Sequence, residues 1–160
     1  MPELKQIFSE LGFENVITYI NSGNIAFDVN GKTSGGTESR LTSQIEQAIE
    51  GHFKLPIQVM VRKQDAIEKI LRNNPFDGDF ESHKEMHVLF MRDELPKEKE
   101  LQLLEKQTTD ERFAVLGREI FCHLRLGVAD SLLGKGFIEK KLKVPVTGRN
   151  WRTVQKLAEL

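Results

Sequence analysis

The sequence predicts an α+β fold of ferredoxin-like plait modules, in which helices pack on one face of antiparallel or mixed sheets. Stretches with apolar residues at helical spacing alternate with β-branched and aromatic stretches typical of strands. Two pairs of those strands are separated only by short turns, which favours β-hairpins. Helices between hairpins indicate the βαββαβ order of a plait. The composition, 39% hydrophobic and 29% charged, is that of a folded domain.

The predicted helices carry apolar residues three or four positions apart. In the first of them Leu4, Ile7 and Phe8 share one side, Pro2 suits the first turn and Gly12 suits the end. By the same criterion, helices are predicted over residues 2–11, 41–53, 65–72, 97–106, 136–142 and 150–159.

The predicted strands are short runs rich in Val, Ile, Phe and Tyr. They cover residues 15–20, 25–29, 56–61, 86–91, 113–116 and 119–124. The turn at 21–24 and the pair Gly117 and Arg118 each predict a hairpin, and residues 30–37 read as a polar loop.

The length of 160 residues predicts one compact domain over 1–160. Two plait-like halves, about 1–62 and 63–134, with a C-terminal helical segment at 135–160, are the alternative. The single cysteine, Cys122, and the lack of a long apolar run predict a cytoplasmic protein without a membrane span. The net charge is −1, yet residues 135–160 carry seven Lys or Arg against two Glu, a local charge of +5.

Two motifs resemble the bacterial family called domain of unknown function 1697. Residues 18–24 (T-Y-I-N-S-G-N), followed by a strand, are similar to its N-terminal hairpin. Residues 139–145 (E-K-K-L-K-V-P) and 147–154 (T-G-R-N-W-R-T-V) are similar to its C-terminal signature. The resemblance covers essentially the whole chain, implies an α+β fold of plait-like modules, and implies no activity.

The chain departs from that family at its start. Members usually begin with a strand and a Gly-rich loop, Arg-Gly-Ile-Asn-Val-Gly-Gly, before the first helix, whereas Met1 stands almost at that helix. The first family strand is therefore expected to be absent. An internal methionine as the recorded start, or another element or chain filling the gap, are the alternatives.

Two segments are candidates for binding an anion. The first is the turn at 21–24, whose amides could face a ligand but are also what a tight turn requires. The second precedes the last helix, where Thr147 or Asn150 could cap the helix beside Arg149, and Trp151 could stack on a base or pack in the core. With nearby lysines, the candidate residues are Asn21, Ser22, Asn24, Lys135, Lys140, Lys141, Thr147, Arg149, Asn150 and Trp151.

Other motifs fail on spacing, so no metal, cofactor or catalytic residue is predicted. Gly31-Lys32-Thr33 lacks the glycine that a phosphate loop needs five residues earlier. His87 falls in a predicted strand, where residues four positions apart are too distant to share a metal, so His83 and His87 are not expected to form a metal site. Cys122 and His123 are strand neighbours, so their side chains should point to opposite faces.

Three functions follow as hypotheses. The first is a module that binds a phosphate-bearing or other anionic ligand, a nucleotide or RNA, in one pocket formed by Asn21 and Arg149. The second is an enzyme acting on a small anionic metabolite. The third is a structural or interaction protein that forms a homodimer through a sheet edge.

Overall fold

The computed structural model describes residues 2–19, 23–29 and 38–160. The helices are α1 (Pro2–Glu10), α2 (Glu38–Phe53), α3 (Gln64–Arg72), α4 (Lys97–Leu104) and α5 (Trp151–Glu159), with a π-helical turn at Ile138–Leu142. The strands are β1 (Glu14–Tyr19), β2 (Asn24–Asp28), β3 (Met86–Met91), β4 (Glu111–Leu116), β5 (Glu119–Leu124) and β6 (Val146–Asn150). The α+β class is confirmed, as are both predicted hairpins, β1–β2 and β4–β5.

The chain divides into two compact units. The first comprises Met1–Lys63 with Glu159–Leu160, and the second comprises Gln64–Ala158. The second unit therefore includes most of the cationic C-terminal segment. Within the described residues, no helix has the length and apolar character needed to cross a membrane.

The first unit packs an antiparallel β1–β2 hairpin against α1 and α2. Its core centres on three rings, with Phe27 lying 5.1 Å from Phe8 and 4.6 Å from Phe13 between centroids. Ile45 and Ile49 of α2 are buried in the same cluster. The apolar spacing read from the sequence thus locates this core.

The predicted strand at 56–61 is wrong, because this segment pairs with no strand in the part of the chain that the structure describes. Among the described residues, β1 and β2 pair only with each other. The backbone N–H of Val59 donates instead to the Glu46 carboxylate at 2.9 Å. Val59 and Val61 still pack against the core. The alternating pattern of this segment therefore reflects the burial of these two side chains and does not reflect strand pairing.

The second unit is built on a four-stranded antiparallel sheet with the strand order β4-β5-β3-β6. One face of this sheet carries Leu89 and Met91 of β3 with Ile120, Cys122 and Leu124 of β5. These side chains form one core with Leu103 of α4 and with Ile138 and Leu142 of the π-helical turn. We call this the inner face.

The opposite face of the sheet, here the outer face, is also buried at its central strands. Val88 and Phe121 are register partners there, and neither exceeds 1% exposure. Rings from residues 73–85 and from α5 cover this face, since Phe76 and Phe80 lie 5.9 and 6.4 Å from His123 between centroids.

Strand β6 was not predicted, because residues 144–148 read as a connection between two helices. It has only five residues, follows Pro145 and contains Gly148. Pairing with β3 makes it a strand, with Leu89 opposite Gly148. A Cβ at Gly148 would stand 3.0 Å from the Leu89 side chain, so glycine lets the two strands approach.

Candidate functional site

Arg149 lies on β6 as the register partner of Val88. Register partners share a face of a sheet, so Arg149 stands on the outer face. Its side chain is half-buried, and burial lowers the pKa of the guanidinium below its ordinary value. Its Nη1 donates to the Gly148 carbonyl at 2.8 Å. A guanidinium partly withdrawn from water at a sheet margin is a candidate anion contact.

Asn150 connects this arginine directly to α5. Its Oδ1 accepts a hydrogen bond of 2.9 Å from the backbone N–H of Thr153, which is a helix N-cap. Of the two caps that the sequence allowed, Asn150 is the one observed. Thr147 lies two residues before Arg149 on β6, opposite Phe90, and is part of the strand.

Trp151 is packed into the protein. Only 7% of it is exposed, and its ring meets Phe80 edge-on at 6.0 Å between centroids. Of the two roles considered for this residue, the structure therefore shows packing. Its ring face does not offer a platform for a base.

The lysines of the candidate set lie elsewhere. Lys140 and Lys141 are exposed on the π-helical turn, whose buried residues Ile138 and Leu142 pack on the inner face of the sheet. Arg149 stands on the outer face, because Val88 and Leu89 are successive residues of β3. Lys135 is exposed in the segment before the turn. Arg149, Asn150 and Trp151 are consecutive at the junction of β6 and α5, whereas the π-helical turn that carries Lys140 and Lys141 packs on the other face of the sheet.

The hairpin turn of the first unit is described only in part. Asn21 and Ser22 lie outside the described residues. Asn24 is buried, and its Nδ2 donates to the Tyr19 carbonyl at 3.1 Å, across the hairpin. This bond is the turn-stabilising role that the sequence also allowed for Asn24.

A pair of titratable groups that the sequence did not single out lies where β3 begins. His123 Nε2 stands 3.4 Å from Glu85 Oε1, with the imidazole buried. The other oxygen of Glu85 accepts from the backbone N–H groups of Glu81 and Ser82, at 3.3 and 3.1 Å. No sequence motif marks this pair, since the two residues are 38 positions apart. Glu85 thus connects the backbone of residues 81–82 with His123 of β5.

His87 has a buried ring nitrogen, Nδ1, without a hydrogen-bond partner among the described residues. Burial lowers the pKa of His87, and the charge of His83 lowers it further. His83 and His87 do not lie on one strand. Residues 82–85 instead form a turn, in which the Glu85 N–H donates to the Ser82 carbonyl at 3.0 Å, and β3 begins only at Met86. His83 is therefore near enough to act on His87.

Cys122 is fully buried on the inner face of the sheet, opposite His87 in register. Burial raises the pKa of its thiol, which keeps it protonated and unreactive near neutral pH. Within the described residues, no three His, Cys, Asp or Glu side chains are grouped so that they could hold a metal ion.

Comparison with known proteins gives a family and a fold. The family described as "Protein of unknown function (DUF1697)" matches residues 1–121, so the C-terminal motif at 139–154 lies beyond the match. The solved structure of the conserved bacterial protein SP0830 from Streptococcus pneumoniae has 26% sequence identity and a TM-score of 0.71. That similarity covers 99% of this chain and 87% of the other. No curated protein matches the chain.

Proposed function

The chain belongs to the DUF1697 family, whose description assigns no activity, and we propose that it is a binding module for a small phosphate- or carboxylate-bearing ligand. The proposed site is Arg149 with the first turn of α5. The observation that carries it is the half-buried guanidinium of Arg149 immediately before a capped helix start. Backbone N–H groups and the positive end of a helix favour an anion there.

The charges around this helix start support an anionic ligand. The first turn of α5 has no acidic residue and instead contains the exposed Arg152. A cation beside a helix N-terminus costs about 0.3–1 kcal/mol, because it opposes the helix dipole. Arg149 adds a second positive charge. A bound anion would interact favourably with both arginines and with the helix end.

The same geometry favours a small ligand over RNA. Proteins that read RNA on a sheet expose aromatic rings on which bases stack. Here the central strands are buried on both faces, and Trp151 packs against Phe80. Arg149 and Arg152 supply charge for a phosphate or carboxylate without a stacking surface.

The enzyme hypothesis gains less support from the described residues. The Cys122 thiol is buried with a raised pKa. The imidazole of His123, which a carboxylate orients as in many acid–base pairs, is buried beneath Phe76 and Phe80. We also propose that the protein works in the cytoplasm, where a lone free thiol is normally kept reduced.

The proposal is tested by titrating the protein with inorganic pyrophosphate and with citrate in a calorimeter at low and moderate salt. Binding to at least one probe is expected, and it should weaken as salt rises, since charge dominates. Arg149→Ala should weaken it at least tenfold, because charge-assisted hydrogen bonds contribute about 1.5–3 kcal/mol. Arg152→Ala should weaken it less, because that side chain is exposed.

A matched control removes an equal charge elsewhere. Arg72 is exposed at the end of α3, so Arg72→Ala should leave pyrophosphate and citrate affinity unchanged. Equal losses for Arg72→Ala and Arg149→Ala would indicate bulk charge attraction without a site. Absence of heat with both probes, confirmed by unchanged melting temperatures, would contradict the proposal.

A further inference from the structure

Four lysines of the C-terminal segment lie outside the proposed anion site. All four are exposed and fall within nine residues of the chain, at Lys135, Lys140, Lys141 and Lys143. The buried residues Ile138 and Leu142 hold this part of the chain on the inner face of the sheet, so the lysines between and beside them face solvent. We call residues 135–143 the lysine turn.

Acidic side chains do not neutralise the lysine turn. Its four lysines stand against one acidic residue, Glu139, which gives a local charge of +3. In the part of the chain that the structure describes, none of the four ammonium groups forms an ion pair. By contrast, Arg125 lies 2.6 Å from Asp110, and Arg112 lies 3.4 Å from Asp79. Positive charges left unpaired at one place raise the local potential and attract a partner that carries several negative charges.

The backbone of the lysine turn fixes two of these side chains. Lys143 ends the turn in the left-handed conformation, with φ of +57°. Helices that end in this conformation usually do so with glycine, because a side chain makes it unfavourable. The stem of Lys140 lies over Gly136, where an added Cβ would stand 3.3 Å from Lys140 Cε. The fold thus keeps a lysine where glycine would be more stable, on a π-helical turn of the kind often found at functional sites.

The chemistry of lysine favours a polymer of phosphates over a small anion. An ammonium group is a compact charge that contacts a phosphate without the paired geometry of a guanidinium. A small anion meets one or two such charges, whereas a nucleic-acid duplex carries one phosphate charge about every 1.7 Å along its axis. Phe137, the aromatic residue of the turn, is half-buried and packs against the inner core. The turn therefore suits contact with a phosphate backbone and offers no ring on which an unpaired base would stack.

We propose that the lysine turn binds the phosphate backbone of a nucleic-acid duplex without reading its base sequence. The lysines neutralise phosphates and release the counterions around them, and this release drives binding. The surface is separate from the Arg149 site, because the lysine turn packs on the inner face of the sheet and Arg149 stands on the outer face. The proposal therefore does not depend on a small ligand at Arg149.

The test measures binding of the full chain to a short labelled DNA duplex and to an RNA duplex of the same sequence, by fluorescence anisotropy. Between about 50 and 200 mM salt, the logarithm of the affinity should fall linearly with the logarithm of the salt concentration, with a slope of about −3 to −4 for four phosphate contacts. A duplex of another sequence should bind equally. Binding of only one of the two duplexes would support the proposal and identify the nucleic acid.

Two double variants separate this surface from bulk charge. Lys140→Ala with Lys141→Ala should weaken duplex binding about tenfold or more at low salt and make the slope shallower by about 2. The same pair should leave pyrophosphate affinity unchanged, because pyrophosphate is expected at Arg149. Lys69→Ala with Arg72→Ala removes two exposed charges from α3 and is the matched control, which should leave duplex affinity and slope as they are.

Lys143→Gly distinguishes a lost contact from a lost fold. It removes one charge together with the unfavourable left-handed lysine, so the urea midpoint should rise while duplex affinity falls. Absence of binding to both duplexes at low salt would overturn the proposal, as would equal losses in the α3 control. Binding to vesicles of anionic lipid without binding to either duplex would also overturn it, because the surface would then belong to a membrane.

Discussion

Asn150 ends β6 and caps α5, so a single amide group links the strand to the helix. Asn150→Ala removes the bond to the Thr153 N–H and should lower the free energy of unfolding by about 1 kcal/mol. Asn150→Asp keeps an acceptor at the cap and should recover that stability. Urea denaturation of the native protein and the two variants measures both effects. Equal midpoints for the native protein and N150A would mean that the cap contributes nothing to stability.

His87 makes the stability of the second unit depend on pH. Its pKa is lowered in the folded protein from the ordinary value of 6.5, chiefly by burial and then by His83. The unfolded chain therefore binds the proton more readily, and stability falls as pH drops below 6.5 toward the folded pKa. The slope from one such proton cannot exceed about 1.4 kcal/mol per pH unit.

Replacing His87 separates its contribution to the pH dependence of stability from the contribution of Asp and Glu side chains. His87→Asn should flatten the change in unfolding free energy between pH 7 and pH 5.5, measured by urea denaturation. A titration of His87 by NMR at or above 6.5 in the folded protein would contradict the account.

At the scale of single residues, the sequence predicts local roles such as helix capping better than it predicts the sheet face on which a side chain lies. The capping role of Asn150 followed from its position before a helix, because the cap is a local interaction. The sequence did not predict that Arg149 and Lys140 lie on opposite sides of the sheet. This arrangement depends on the register of β6 against β3, which joins residues about 60 positions apart.

At the scale of elements, Phe80 and Trp151 join the 73–85 segment to the start of α5. The sequence contains one tryptophan, so tryptophan fluorescence reports on the surroundings of Trp151, which include Phe80. Emission should be blue-shifted and poorly quenched by iodide, because only 7% of Trp151 is exposed. Phe80→Ala should shift the emission to longer wavelength and increase quenching.

Phe53→Ala offers a control for that fluorescence, because this ring belongs to the core of the first unit. It should leave the Trp151 emission maximum of the folded protein unchanged. A native protein whose emission already matches free tryptophan would show that the ring is exposed and would contradict the packing described above.

Both errors in the predicted elements concern strands whose identity depends on a partner. Residues 56–61 alternate like a strand, yet no neighbouring strand among the described residues pairs with them. Residues 146–150 include Gly148 and follow a proline, yet β3 recruits them into a sheet. Helix periodicity is local and was predicted well, whereas strand pairing is decided by distant residues.

At the scale of the whole molecule, the two units differ in the number of paired strands. The second unit has four paired strands and buried central residues, whereas the described residues of the first unit form a two-stranded hairpin. Two strands alone give marginal stability, so amides of β1 and β2 should exchange faster than those of β3 and β5. Native-state hydrogen exchange measures this order. Equal protection of the two hairpins would contradict it.

The proposed anion site is tested most directly by an NMR titration of the isotopically labelled chain with inorganic pyrophosphate. The account predicts that the largest shift changes occur at the Arg149 side chain and the amides of Trp151 and Arg152, while Lys140 and Lys141 stay unperturbed. Changes centred on the two lysines, or no changes at any of these residues, would contradict it.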